Sequence, residues 1–134
     1  DNGTFTNYIK DFVVENDLKV GATTGKFVTD DDASPKTVEN TGSFTVEGNV
    51  IVEGTFDSNG TDNVVKGNFT QDNKYSVVTF AYRTTTTIDG KFDCKAGKFE
   101  REGLNGSSAY RATVNVGTLG ATNGTTDSAW PTEK

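Results

Sequence analysis

The sequence predicts one all-β domain over residues 1–134, either an antiparallel β-sandwich or an up-and-down barrel of about eight to ten strands. Its aliphatic residues are mostly β-branched, with fourteen Val against three Leu and three Ile, and twenty-two Thr accompany them. Such side chains suit the pleated, half-buried surface of a sheet. Seven of the nine Phe residues also stand two places after a Gly. Residues two apart share one side of a strand, so this unit fits strands throughout the chain.

The clearest strand pattern covers residues 42–57. Its even positions are apolar or Gly, and its odd positions are polar apart from Ile51. The alternation keeps its parity across Gly48 and Asn49, so we expect a hairpin with the three-residue loop 47–49, or one long strand bent at Gly48. Either reading buries the Phe rings of this segment.

A second alternating run covers residues 78–94, with a turn expected near residues 83–86. The same parity predicts that Cys94 is a small buried residue rather than a reactive thiol. The row Thr84–Thr87 resembles Thr arrays that pair across strands, whereas ice binding would need several such rows. The last residues, 118–134, lack the alternation and are predicted to form an irregular tail.

Charge and composition exclude several classes of function. The net charge is -6, which disfavours binding to the phosphates of nucleic acids or to anionic lipid surfaces. No apolar run approaches the roughly 20 residues of a membrane helix, so membrane insertion is not expected. The chain begins at Asp1 without a Met, which fits either a processed mature protein or an excised piece of a longer one, and we expect an extracellular or surface-exposed location.

Catalysis is not predicted, and the remaining catalytic alternative is a Lys-based or carboxylate-pair mechanism, although Glu47 and Glu53 fall on the polar side of their strands. The chain has no His and a single Cys, so neither a Ser-His-Asp nor a Cys-His arrangement can be assembled. Calcium is the one cofactor that the sequence suggests, because the loop of residues 57–63 places oxygen ligands at alternating positions around a Gly. Its candidate ligands are Asp57, Asn59 and Asp62. A plain turn explains the same residues.

The opening Gly3-Thr4-Phe5 resembles the Gly-x-Trp with which lipocalin and avidin barrels begin. The resemblance implies an antiparallel barrel that carries a small molecule, although Trp130 is the first Trp, so the Trp-lined pocket of avidins does not carry over. The inward side chains of such a barrel would line the ligand pocket. They are Phe44, Phe56, Phe80, Tyr82 and Phe92.

The leading functional hypothesis is a non-enzymatic structural or adhesive domain at a cell or virion surface, such as a self-assembling fibre or coat subunit. The missing catalytic side chains and the acidic surface rich in Thr, Asn and Gly motivate it. The expected partner is another copy of the chain, in a homo-oligomer or polymer. The expected assembly residues are Phe5 and Ile9 near the start and Trp130 near the end.

Overall fold

The computed structural model describes residues 4–7, 12–21, 26–29 and 43–134, with the backbone alone for 4–7 and 26–29. The structure over these residues is all-strand, with 53% strand and 3% helix, which confirms the all-β prediction. The described strands, in chain order, are β1 Thr4–Asn7, β2 Phe12–Val14, β3 Leu18–Val20, β4 Lys26–Thr29, β5 Phe44–Val46, β6 Val50–Val52, β7 Thr55–Ser58, β8 Asp62–Val65, β9 Phe69–Gln71, β10 Val77–Phe80, β11 Thr85–Cys94, β12 Lys98–Arg101, β13 Thr113–Thr122 and β14 Thr132–Glu133.

These strands form three faces that the chain visits in turn. The first face is a five-stranded sheet in the order β1-β4-β7-β10-β12. The second face contains β2, β5, β8, the first half of β11, the first half of β13 and β14. The third contains β3, β6, β9 and the second halves of β11 and β13. The second and third faces join into one nine-stranded sheet because β11 and β13 run through the corner between them.

One passage over the three faces makes a coil, and successive coils stack in register. The first coil is β1, β2 and β3, the second is β4, β5 and β6, and the third is β7, β8 and β9. The fourth is β10 with β11, and the fifth is β12 with β13. A sixth, partial coil contains β14 and a bridge between Lys98 and Thr125. The described chain is therefore a three-sided parallel β-solenoid.

The prediction of an antiparallel sandwich or barrel is wrong, because every strand pair in the described residues is parallel. Each strand bonds to the strand at the same place in the next coil, as in the pairs Phe56↔Phe27 and Val78↔Phe56. Alternation of apolar and polar residues reports that a strand buries one side, but it does not report the direction of its neighbour. A solenoid and a sandwich demand the same alternation.

The expected hairpin at residues 47–49 is a corner of the solenoid instead. β5 and β6 flank it, yet they do not pair with each other; β5 pairs with β2 and β8, and β6 with β3 and β9. The corner keeps both strands facing the same core, which explains the unbroken parity. Val46 and Val50, on either side of it, are both fully buried.

The core is a column of apolar side chains enclosed by the three faces. Rings meet edge to face both within a coil and between coils, with centroids 5.5 Å apart for Phe56 and Phe69 of the third coil and 5.0 Å apart for Phe92 and Phe99 of the fourth and fifth coils. Aromatic pairs at these separations add to the free energy gained by burying their area. The predicted burial of the Phe rings is confirmed, since Phe44, Phe56 and Phe92 are at most 1% exposed.

The segment predicted as an irregular tail carries regular pairing at its start. β13 continues to Thr122, and beyond it β14 pairs with residues 115 and 116. Between these strands, Trp130 packs against the end of the core and Pro131 is buried. The segment therefore belongs to the fifth and sixth coils.

Candidate assembly surface

The strands of the first coil form one end of the solenoid. In the described part of the chain β1 pairs with β4, β2 with β5 and β3 with β6, and each has no strand on its other side. An edge strand presents unpaired backbone N–H and C=O groups that can bond to another strand. Among the described residues, the first coil thus presents three short edges side by side.

Hydrogen bonds of β2 show which residue faces outward. The N–H of Phe12 donates to the carbonyl of Ser43 at 3.1 Å, and the carbonyl of Val14 accepts from Glu47 at 2.8 Å. Both residues therefore direct their backbone groups toward the second coil. Successive residues of a strand point these groups to opposite sides, so the N–H and C=O of Val13 face away from the second coil.

The same pattern holds in β3. The N–H of Leu18 donates to Asn49 at 2.8 Å, and the carbonyl of Val20 accepts from Glu53 at 2.8 Å. Lys19, between them, directs its backbone groups to the outer side. Val13 and Lys19 are therefore the residues through which β2 and β3 would bond a further strand.

The side chains of this end are apolar and incompletely covered. Phe12, Val14 and Leu18 pack against the core but remain partly exposed, whereas the residues that pair with them in the second coil are at most 1% exposed. Those residues are Phe44, Val46 and Val50. The outward side chain of Val13 is 50% exposed. Terminal repeats of solenoids normally carry a polar outer surface, so this end has the character of an internal layer.

Two charged side chains near the edge contact residues of the second coil. The ammonium of Lys19 lies 3.1 Å from the carboxylate of Glu53. The carboxylate of Asp17 accepts a hydrogen bond from the backbone N–H of Asn49 at 2.7 Å. A charged side chain is one device by which proteins block an edge strand. Here both charged side chains bind groups of the second coil instead of projecting beyond the edge.

At the opposite end of the solenoid, the partial sixth coil lies over the last core residues. The Trp130 ring stacks on Phe99 with a centroid separation of 5.8 Å, and Pro131 is buried. The N–H of Phe99 donates to Thr125 at 2.9 Å, and that of Lys134 donates to Val116 at 2.8 Å. These contacts cover the last core residues with chain from the same molecule.

Arg101 holds the sixth coil to the rest of the solenoid by hydrogen bonds. Its Nε donates to the carbonyl of Ala129 at 2.9 Å and its Nη1 to the carbonyl of Ala112 at 2.7 Å. Burial, and then the nearby positive charge of Arg111, lower the pKa of Arg101. The guanidinium joins the loop before β13 to the segment that carries Trp130.

The predicted assembly residues fall at both ends. Phe5 lies in β1 and pairs with Phe27, and the structure describes its backbone alone. Ile9 lies outside the described residues. Trp130 packs on its own chain. The sequence indicated the segment Thr4 to Val14, which contains Val13, but did not single out Val13 or Lys19, because no pattern showed that β2 and β3 lie at an edge.

The predicted pocket residues fill the core. Phe44, Phe56, Phe80 and Phe92 are each at most 1% exposed, and Phe56 contacts both Phe44 and Phe80. Tyr82 is partly exposed at a corner. An open depression of about 360 Å³ does exist on the outer surface, and Glu53, Gly54, Thr55, Asn73 and Tyr75 line it. None of the predicted pocket residues contributes to it.

The predicted calcium ligands lie around the corner between β7 and β8. Asp57 is partly buried, Asn59 is 7% exposed, and Asp62 is exposed. Over the described residues, no three His, Cys, Asp or Glu side chains come together in a way that would hold a metal ion. Calcium binding stays a prediction.

Cys94 and the Thr row follow the parity of β11. Cys94 is fully buried, and burial raises the pKa of its thiol. Thr86 is also buried, where its hydroxyl accepts a hydrogen bond from Asn63 at 3.1 Å. Thr85 is exposed. The four consecutive Thr therefore divide between the core and the surface, and do not form one exposed row.

Comparison of the chain with models of protein families, with curated proteins and with solved structures finds no match. No helix within the described ranges is long and apolar enough to cross a membrane.

Proposed function

We propose that this chain is a non-enzymatic structural domain, a short β-solenoid rod that self-assembles through the edge of its first coil. The observation that carries the proposal is the set of edges at β1, β2 and β3 above partly exposed core residues. Pairing there would satisfy backbone groups and bury Phe12, Val14 and Leu18. A location at a cell or virion surface is part of the proposal.

The fold gives no support to the alternative function of a small-molecule carrier. It required an antiparallel barrel around a cavity, and the rings assigned to that cavity pack against one another.

The experiment blocks the edge without disturbing the interior of the solenoid. A proline lacks the N–H donor, and it is tolerated on an edge strand where that N–H faces outward. Val13→Pro and Lys19→Pro therefore remove one outer donor each and leave the hydrogen bonds to the second coil. Val13→Ala and Lys19→Ala are the matched controls, which keep the N–H and remove the side chain.

Sedimentation velocity over a range of concentrations reports the outcome. We expect the wild-type chain and both Ala variants to associate as concentration rises, and the double Pro variant to remain monomeric with the wild-type circular dichroism spectrum. A wild-type chain that stays monomeric at the highest concentration contradicts the proposal. So does a folded Pro variant that associates as strongly as the wild type.

A further inference from the structure

We propose that the depression on the outer surface of the solenoid binds one ring of a neutral saccharide. This binding function goes beyond the proposed self-assembly and does not depend on it. The depression has a volume of about 360 Å³, and it is lined by Glu53, Gly54, Thr55, Asn73 and Tyr75. Ligand sites usually have volumes between about 300 and 1,000 Å³, so the depression has room for a small ligand.

The depression lies where two stacked corners differ in length. The corner between β6 and β7 consists of residues 53 and 54, whereas the corner between β9 and β10 in the next coil consists of residues 72–76. The longer corner is anchored at both ends, because the N–H of Asp72 donates to Val52 at 3.2 Å and that of Val77 donates to Gly54 at 3.0 Å. Its additional residues therefore form a wall beside the shorter corner.

Tyr75 gives this wall an apolar surface. The residue is 79% exposed, and its backbone N–H donates to Asn73 Oδ1 at 2.8 Å, which holds the chain beneath the ring. Tyrosine combines a flat apolar ring with a polar tip. One side of a sugar ring carries C–H groups and its rim carries hydroxyls, so a sugar matches both parts of this side chain.

Hydrogen-bonding groups of both kinds stand next to the ring. In the described part of the chain, Asn73 uses its Oδ1 within the corner and Glu53 uses its Oε1 to contact Lys19. The Nδ2 of Asn73 is then a donor for a ligand, the Oε2 of Glu53 is an acceptor, and the hydroxyl of Thr55 can act as either. Sugar hydroxyls also donate and accept, so each of these groups has a partner on a sugar.

The charges around the depression indicate a neutral ligand. A cation would be attracted to the ring and to the carboxylate, but the ammonium of Lys74 lies 4.9 Å from the centroid of the Tyr75 ring and that of Lys19 lies 3.1 Å from Glu53. The chain's own ammonium groups therefore occupy both positions. Glu53 opposes an anion, as does the net charge of -6. A wholly apolar ligand would remove water from the polar groups without replacing their hydrogen bonds.

Titration with neutral oligosaccharides tests the proposal. The probes are oligomers of glucose, of N-acetylglucosamine, of mannose and of galactose, and tetramethylammonium and acetate serve as charged probes. NMR follows the ring protons of Tyr75 and the Nδ2 protons of Asn73 at a protein concentration at which the chain is monomeric. Tyr75→Ala removes the ring and Tyr75→Phe keeps it. Tyr110→Ala is the matched control, because it removes an exposed Tyr that does not line the depression.

We expect at least one neutral oligosaccharide to shift both sets of signals saturably. Tyr75→Phe and Tyr110→Ala should bind it with the wild-type affinity, whereas Tyr75→Ala should raise its Kd about tenfold through loss of the stacked ring. Asn73→Asp keeps the oxygen that accepts from Tyr75 and lacks the Nδ2 donor, so it should also raise the Kd. Circular dichroism checks that each variant is folded.

Two kinds of result would overturn the proposal. Saturable shifts with tetramethylammonium or acetate, and with none of the saccharides, would show that the ligand is charged. No saturable shift with any probe up to its solubility limit, or an unchanged Kd in folded Tyr75→Ala, would show that the depression is not a saccharide site. Neither result bears on self-assembly, which sedimentation tests separately.

Discussion

At the scale of single residues, the corners between the second and third faces explain why a Gly stands two places before Phe69 and before Phe92. Gly67 passes so close to the coil below that an added Cβ would lie 2.6 Å from the carbonyl oxygen of Gly48 and would also meet Asn49 Oδ1. Gly90 would meet the carbonyl oxygen of Gly67 at the same distance. The corners stack backbone on backbone, which leaves no room for a side chain.

The first prediction concerns Gly67. We expect Gly67→Ala to lower the free energy of unfolding by about 1–3 kcal/mol, the usual cost of forcing extra atoms into a packed site. Gly106→Asn is the control, because Gly106 has nothing within 4 Å of an added Cβ and its φ of +76° is one that Asn tolerates. Urea denaturation measures both variants. Equal midpoints for Gly67→Ala and the wild type would show that the corner is not tightly packed.

Burial of individual residues is the part of the structure that the sequence predicts well. The rings of Phe44 and Phe92, and the side chain of Cys94, lie inside as their parity requires. The parity predicts that Asn63 points inward, but it does not predict the hydrogen-bond partners of its buried amide. These are the carbonyl of Gly60 in the preceding corner and the hydroxyl of Thr86 in the next coil. Such contacts depend on the stacking.

At the scale of strands and corners, a ladder of side-chain amides and one carboxylate connects successive coils. Asp17 accepts from the N–H of Asn49 at 2.7 Å, Asn49 from Asn68 at 2.8 Å, and Asn68 from Lys91 at 2.9 Å. Each rung satisfies a backbone donor where the chain turns and the strand ladder is interrupted. The ladder therefore fixes the register of one corner on the next.

The second prediction removes one rung. We expect Asn68→Ala to lower the free energy of unfolding by about 0.5–1.5 kcal/mol, because the N–H of Lys91 loses its acceptor. Asn68→Asp keeps an oxygen at the same place, as Asp17 does in the first coil, and should retain most of the stability. Thermal and urea unfolding compare the two variants. The ladder has no energetic role if the Ala and Asp variants unfold together.

The same corners hold the signal that could have corrected the predicted topology. The segments Val46-Glu47-Gly48-Asn49-Val50 and Val65-Lys66-Gly67-Asn68-Phe69 have one pattern, and Ile88-Asp89-Gly90-Lys91-Phe92 continues it. A pattern that recurs at a spacing near one coil is typical of a solenoid. Alternation within each strand was sufficient to identify strands, but only this longer repeat indicates parallel neighbours.

At the scale of the whole molecule, the two ends of the solenoid determine whether it associates with other copies. Repeats in a solenoid contact only their neighbours, so each terminal coil lacks half of its contacts unless a cap or a partner supplies them. The partial sixth coil supplies some of them at one end through Trp130 and Pro131. At the other end we propose that a second copy does so. No alternation of residue types could have distinguished the ends, because they differ in what covers the core.

The measurement that tests this account most directly is amide hydrogen exchange, resolved to single residues, at low and high protein concentration. The N–H groups of Phe12 and Leu18 donate within the solenoid, so we expect them to be protected at both concentrations. Those of Val13 and Lys19 face outward, and we expect them to gain protection only as the protein associates. Fast exchange of Val13 and Lys19 under conditions where the chain is fully associated would contradict assembly through the first coil.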